Sequence, residues 1–324
     1  MIPLIDVSPL ATATGAQEVG AQIDQACRQT GFFSIVGHGV PAELVERLEV
    51  MARQFFALEA DEKSNISMAR GGRAWRGWFP VGGELTSGIP DMKEGLYFGQ
   101  ELPTDDPRVM AGRPLHGPNL FPVQPAELRE TVLEYIDALT QLGHRLLRGI
   151  SLGLGLDEHW FDRHLTHDPL VLFRIFHYPP IAENDRSWSV GQHTDYGLIT
   201  ILGQDDSGGL EVEGPNGWIS VPPIPGAFVV NLGDMLERMT SGAYRSTPHR
   251  VRNTSDRDRL SFPLFVDPAW DAAVVPVPMA GTSPPPDAAN RWDGQSVHEW
   301  SGTYGDYLWT KVGRVFPQLK EELF

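Results

Sequence analysis

Apolar positions recur along this chain at two different periods, and the period changes near residue 170. In the first half the spacing is helical. Val19, Ile23 and Cys27 are spaced one helical turn apart and stop at Thr30-Gly31, which predicts a helix ending there. Phe32–Val36 is a short strand-like run closed by Gly37-His38-Gly39. A second helix is predicted from Ala42 to about Leu58, with Leu44, Leu48, Met51 and Phe55 on one stripe. A third and longer one runs from about Ala126 to Leu154, with Val132, Tyr135, Leu139, Leu142, Leu146 and Ile150 in period.

Between the second and third helices, Gly71–Pro122 is rich in Gly and Pro and reads as loop, although it carries Trp75, Trp78, Phe79 and Tyr97 beside Arg73 and Arg76. From Leu170 onward short apolar runs alternate with turns: 170–178, 197–204, 209–213, 217–221, 226–231, 248–252 and 259–266. Gly208-Gly209 and Pro215-Asn216-Gly217 supply turn chemistry, and a short helix at Asp234–Met239 interrupts the series. A closing helix is expected over Val297–Val315, after a local loop at Ser283-Pro284-Pro285-Pro286. The expected fold is mainly β with α, a jelly-roll core with N-terminal and flanking helices. Residues 1–324 would form a single catalytic domain: a mostly helical part at 1–169, the jelly-roll core with the metal site at 170–270, and a C-terminal loop and helix at 271–324.

Charge narrows the partners. With 26 basic and 42 acidic residues the net charge is −16, which disfavours nucleic acid and anionic membrane surfaces and leaves a small-molecule substrate. Cys27 is the only cysteine, so no intrachain disulfide forms. The N-terminus lacks the pattern of a signal peptide, and no apolar stretch approaches the ~20 residues that span a bilayer. The expectation is a soluble cytoplasmic protein.

The candidate chemistry is a metal site. His193-Thr194-Asp195 precedes the apolar run Leu198–Leu202, and if extended it projects His193 and Asp195 from one face. His249, in Thr247-Pro248-His249-Arg250-Val251, offers a third ligand. Two imidazoles and a carboxylate with positions left open suit non-haem iron(II), although zinc accepts the same ligands and would indicate hydrolysis. The segment 250–262 reads as a hairpin centred on Thr254, which would place Arg259 opposite His249 with Ser261 on the same sheet face. A guanidinium and a hydroxyl there can hold the far carboxylate of a dicarboxylic acid whose other end chelates the metal.

On Gly31–Gly39, His177-Tyr178-Pro179-Pro180, His193-Thr194-Asp195-Tyr196-Gly197, Asn231-Leu232-Gly233-Asp234, Tyr244–Val251 and Arg259-Leu260-Ser261, the chain resembles the isopenicillin N synthase-like iron(II)/2-oxoglutarate-dependent dioxygenases. The resemblance implies a double-stranded β-helix, iron held by His193, Asp195 and His249, and 2-oxoglutarate held by Arg259 and Ser261, with Tyr178 a further contact. It also implies oxidation, hydroxylation by default, of a small organic substrate by dioxygen, with release of succinate and carbon dioxide. Two alternatives stay open: an iron oxidase of the same fold that makes no use of the keto acid, and a zinc-dependent or non-catalytic jelly-roll protein. Where relatives often carry Asn-Tyr-Tyr-Pro, this chain has Phe176-His177-Tyr178-Pro179.

Candidate substrate contacts are Arg76, Trp78 and Phe79, whose loop position is similar to the family's substrate-facing region, together with Arg174, Tyr196 and Phe262. Other features read as structural: His38 as turn chemistry, His159, His164 and His167 as a polar surface, and Trp300, Tyr304, Tyr307 and Trp309 as anchors of the last helix. Asn253-Thr254-Ser255 matches a glycosylation acceptor pattern, which carries little weight without a secretory signal.

Overall fold

The computed structural model describes residues 1–86, 88–181, 187–278 and 294–316; the predicted loop Ser283–Pro286 lies outside them. The predicted apolar stripes become buried helix faces. Helix α1 (Ala13–Gln29) starts where the Thr12 side chain accepts a bond from the Gly15 amide and ends at Thr30. Gly31 follows at φ 65°, and a Cβ there would lie 2.1 Å from the Arg245 carbonyl, so both conformation and space require glycine. Helix α2 (Ala42–Phe56) buries Leu44, Leu48, Met51 and Phe55. After the short helices α3 (Ala60–Ser64) and α4 (Pro107–Met110), the long α5 (Leu128–Gly153) buries its whole predicted stripe. It packs on α1, on α2 and on one sheet, where Gly143 lets it approach Val266. A further short helix, α6, spans Trp160–His164.

Among the described residues twelve strands form two sheets. Those of the large sheet are β1 (Leu4–Asp6), β2 (Phe32–Val36), β3 (Gly77–Phe79), β4 (Glu94–Gly99), β5 (Leu170–Tyr178), β7 (Ile199–Gln204), β10 (Phe228–Leu232) and β12 (Arg259–Asp267). Their order is β1-β2-β10-β7-β12-β5-β4-β3. The small sheet, in the order β6-β11-β8-β9, contains β6 (Val190–His193), β8 (Leu210–Gly214), β9 (Gly217–Val221) and β11 (His249–Val251). All pairings are antiparallel except β1 with β2. The two sheets face each other as a jelly roll, helix α7 (Asp234–Met239) follows β10, and α8 (Tyr304–Val315) closes the described chain.

Several expectations are corrected. The segment 250–262 is not a hairpin: β11 pairs with β6 and β8, whereas β12 pairs with β5 and β7 in the other sheet. The crossing between sheets is tied by Asn253, whose amide side chain donates to the carbonyls of Tyr178 (3.0 Å) and Arg257 (2.8 Å) while its backbone N–H reaches Ser189 Oγ. Asn253 is thereby buried, so the glycosylation pattern is not displayed. The stretch 71–122 is not all loop, because β3, β4 and α4 lie in it. Strand β4 was hidden by its own glycines. Gly95 is needed because a Cβ would fall 2.7 Å from Phe79 and 2.8 Å from Phe176. The last helix begins at Tyr304 rather than Val297, fixed by a reciprocal capping box between Thr303 and Asp306.

Candidate metal centre

His193 ends β6, and its direct partner across the small sheet is His249 at the start of β11. Asp195 lies beyond β6, in the connection to β7, so His193 and Asp195 do not share one strand as expected. The turn nevertheless brings the three groups together. Asp195 Oδ1 is 3.9 Å from His193 Nε2 and 3.8 Å from His249 Nε2, and one donor atom from each residue lies within 4.8 Å of the other two. Among the described residues this is the only such cluster, and His159, His164 and His167 form none.

Outer contacts aim the donors inward. The Nδ1 atoms of His193 and His249 face the carbonyls of Gly191 (2.8 Å) and Thr247 (3.3 Å), which leaves both Nε2 lone pairs for a ligand. Asp195 Oδ2 accepts bonds from Thr200 Oγ1 (2.5 Å) and Asn231 Nδ2 (2.6 Å). Burial holds the His193 imidazole below its ordinary pKa against the pull of Asp195, and burial with the neighbouring His193 brings His249 down to about 4. Burial alone would raise Asp195, but the positive charge of His249 and His193 when they carry a proton, together with the bonds from Asn231 and Thr200, outweighs it and lowers the carboxyl. Two neutral imidazoles thus share a pocket with an ionised, buried carboxylate that has no Lys or Arg partner among the described residues. That donor set fits a divalent cation.

The wall opposite carries the basic group. Arg259 begins β12 directly across from Tyr178 on β5, with its guanidinium 4.7 Å from the Tyr178 ring. Its Nε donates to the Gly208 carbonyl (2.5 Å) and Nη2 to Gln204 (3.3 Å), while Nη1 is buried with no acceptor among the described residues. Ser261, two residues on, shares a hydrogen bond of 3.0 Å with the Tyr178 hydroxyl. Arg259 and His249 therefore do not lie on one sheet face, as expected of a hairpin; they look at each other across the sandwich interior. One cavity takes in the three metal-binding candidates together with Arg259, Ser261 and Tyr178.

A model described as the 2OG-Fe(II) oxygenase superfamily matches residues 169–268, and one described as non-haem dioxygenase in morphine synthesis N-terminal matches residues 2–124. A Dictyostelium discoideum protein named probable iron/ascorbate oxidoreductase is 48% identical over 94% of this chain and 91% of its own length. The chain belongs to the 2-oxoglutarate–iron(II) oxygenase superfamily. A homoarginine-6-hydroxylase of Arabidopsis thaliana is 35% identical over 97% of each chain. The crystal structure of a full-length Neurospora crassa protein in complex with alpha-KG superposes with a TM-score of 0.79 at 27% identity, covering 96% of each chain. This oxygenase accordingly uses iron(II), 2-oxoglutarate and dioxygen to oxidise a small organic substrate, and it releases succinate and carbon dioxide.

The remaining candidates divide. Arg174 and Tyr196 line the oxygenase cavity, but Arg76, Trp78, Phe79 and Phe262 do not. Trp78 pairs with Leu96 on the outer side of β4 and donates to Glu94, which also binds Lys63 and His177. His177 thus points away from the cavity, but Phe176, which stands where relatives often carry Asn, lines it, so the departure from Asn-Tyr-Tyr-Pro puts an apolar ring at that position of the site. Phe79 packs behind the lining, against Tyr97, Phe176 and Phe316. Phe262 alternates to the far face from Ser261 and Pro263, towards α5. Sequence reading missed Lys93, which is buried between Glu84 (2.9 Å) and Asp91 (2.7 Å), as well as Asp267 and the apolar face Leu308, Val312 and Val315 of α8. Only the buried apolar stripe of α8 had a legible signal, and a stripe does not say which surface it covers. Among the described residues no helix is long and apolar enough to cross a membrane.

Proposed function

We propose that His193, Asp195 and His249 hold the iron, that Arg259 and Ser261 hold the distal carboxylate of 2-oxoglutarate with Tyr178 supporting them, and that the outcome is hydroxylation. The observation that carries the reading is the acceptorless Nη1 of Arg259, buried beside two hydroxyls in the cavity that contains the His-Asp-His cluster. A buried guanidinium N–H without a partner is costly, and a carboxylate supplies the missing acceptor. Iron(II), when bound, supplies the coupling of dioxygen reduction to decarboxylation of the keto acid. The protein's share is positional. Asn231 and Thr200 fix which oxygen of Asp195 faces the metal, the carbonyls of Gly191 and Thr247 fix both imidazole tautomers, and Phe32 packs edge-on against His249 at 5.3 Å. The apolar walls from α8 and the large sheet keep water from the reacting centre.

Hydroxylation is supported by the names of relatives such as the homoarginine-6-hydroxylases. The proposal extends to residues 1–324 acting as one catalytic domain, since β2 and α8 both contribute to the same cavity, and to a cytoplasmic location. The test is succinate release from the purified chain. It should require iron(II) and disappear in Asp195→Ala; release that persists in that variant would refute the ligand assignment.

A further inference from the structure

Among the described residues three cations line the cavity: Lys93, Arg174 and Arg259. Lys93 already has Glu84 and Asp91 as counter-charges, and Arg259 is assigned to the keto acid. Arg174 has no carboxylate within ion-pair distance among the described residues. Its Nη1 donates to the carbonyls of Phe98 (3.3 Å) and Phe173 (3.2 Å), and its guanidinium lies 3.5 Å over the Tyr97 ring. Stacking of this kind fixes the plane of the group and leaves an edge for a ligand.

A second guanidinium, without an ion pair among the described residues, stands behind it. Arg76 is fully buried and occupies the space above Gly99, where a Cβ would lie 2.2 Å from its Nη2. Gly99 and Tyr97 are two apart on β4, so they share a face of the sheet. Among the described residues Arg76 bonds the Leu115 carbonyl alone, and its Nε and Nη1 have no acceptor. Burial and then the like charge of Arg174 bring its pKa down to about 9, against a smaller opposing pull from Glu101. Buried like charges without a paired carboxylate are costly and mark a place where an anion is expected.

We propose that the primary substrate is a carboxylic acid with an apolar body, and that Arg174 takes its carboxylate while Arg76 adds positive potential from behind. This rests on the assignment of iron and 2-oxoglutarate above. The apolar body follows from the cavity around Arg174: Leu172 and Phe265 lie beside it on the same face of the large sheet, and Leu308, Val312 and Val315 of α8 line the same space.

The test uses the whole chain, loaded anaerobically with iron(II) and saturating 2-oxoglutarate. If the visible absorption of the keto-acid chelate does not form at that stage, the co-substrate assignment itself fails, before any substrate is added. With the band present, matched probes are added: phenylacetate against phenylacetamide, 3-phenylpropionate against its amide, and hexanoate against hexanamide. An acid should perturb the band and accelerate succinate release on admission of oxygen, half-saturating at a concentration roughly tenfold or more below that of its amide. Arg174→Gln should abolish this preference, and Arg174→Lys, which keeps the charge, should retain part of it. Amides that match their acids, a loaded protein that answers to none of the probes, or a preference that survives Arg174→Gln would each overturn the proposal. Should Arg174→Gln fail to fold, the wild-type comparison and Arg174→Lys decide it.

Discussion

Replacing Arg259 with Met removes one positive charge from a position only 1% exposed and keeps most of the side-chain volume. In the free protein the loss is modest. The Gly208 carbonyl and Gln204 each lose a donor, worth about 1 kcal/mol apiece, so the variant should fold with a lowered Tm. In the complex the loss is larger, because the keto-acid carboxylate would face an apolar methyl instead of a guanidinium fork. Removing one partner of a buried charged pair costs about 3–5 kcal/mol, and the lower figure corresponds to roughly a 150-fold rise in the Kd for 2-oxoglutarate. Iron(II) affinity should be retained, since Arg259 is held by Gly208 and Gln204 and stands on the opposite sheet from His193 and His249. Anaerobic titration, first with iron(II) and then with 2-oxoglutarate, separates the two affinities through the chelate absorption. Ser261→Ala, which removes one hydroxyl donor, should weaken the keto acid by about tenfold. A folded Arg259→Met protein whose 2-oxoglutarate Kd stays within about threefold of wild type would refute the assignment of this side chain.

Three further outcomes are expected. Asn231→Ala removes the 2.6 Å bond that orients Asp195 and should weaken iron(II) binding by about 10–100-fold, measured by competition with a chelator; unchanged affinity would remove Asn231 from the site. Gly95→Ala pushes a methyl to within 2.7 Å of Phe79 and 2.8 Å of Phe176 and should cost about 1–3 kcal/mol in chemical denaturation, with no loss meaning that the rings move aside freely. Burial raises the Asp267 carboxyl from 3.8 to about 7, aided by Asp195 and opposed by its bond from Tyr304. A raised acid stabilises fully below its unfolded pKa, and the stabilisation is lost as pH climbs towards 7, so the metal-free protein should lose on the order of 4 kcal/mol from this group between pH 4 and 7. Asp267→Asn should flatten that slope in denaturation curves recorded across the range, and an unchanged slope would show that the carboxyl does not titrate there.

What could be read from the chain depended on whether the determining contacts were local. The stripe of α5, the full span of α7 and the nine residues of β5 were legible because each element's own periodicity specifies it. His193 and Asp195 were legible as a pair because they are two residues apart, even though the geometry that joins them is a turn rather than a strand. The hairpin failed because strand partnership is a global choice. Residues 252–258 have turn chemistry whether the chain returns to the same sheet or crosses to the other, and only the bonds of Asn253 to Tyr178 and Ser189 decide it. Strands β3 and β4 were hidden by glycines whose reasons are tertiary: the Ile66 carbonyl at Gly77, the Phe79 and Phe176 rings at Gly95 and the Arg76 guanidinium at Gly99. Arg76, Trp78 and Phe79 precede the cavity-lining Glu84, Lys93 and Tyr97 in the chain, yet none of them lines the cavity: Trp78 is on the far face of β3, and Phe79 is covered by Tyr97, Phe176 and Phe316.

The separation of β11 and β12 into different sheets has a consequence for co-substrate choice. His249 and Arg259 are ten residues apart in the chain but stand on opposite walls, and facing sheets pack about 10 Å apart. On the proposed assignment the span from metal to anchoring guanidinium is therefore a dimension of the architecture, maintained by every side chain that holds the two walls apart. The sandwich acts as a calliper for dicarboxylates. A keto acid one carbon shorter or longer would be rejected by the thickness of the core, and core substitutions far from either end would change which length is accepted.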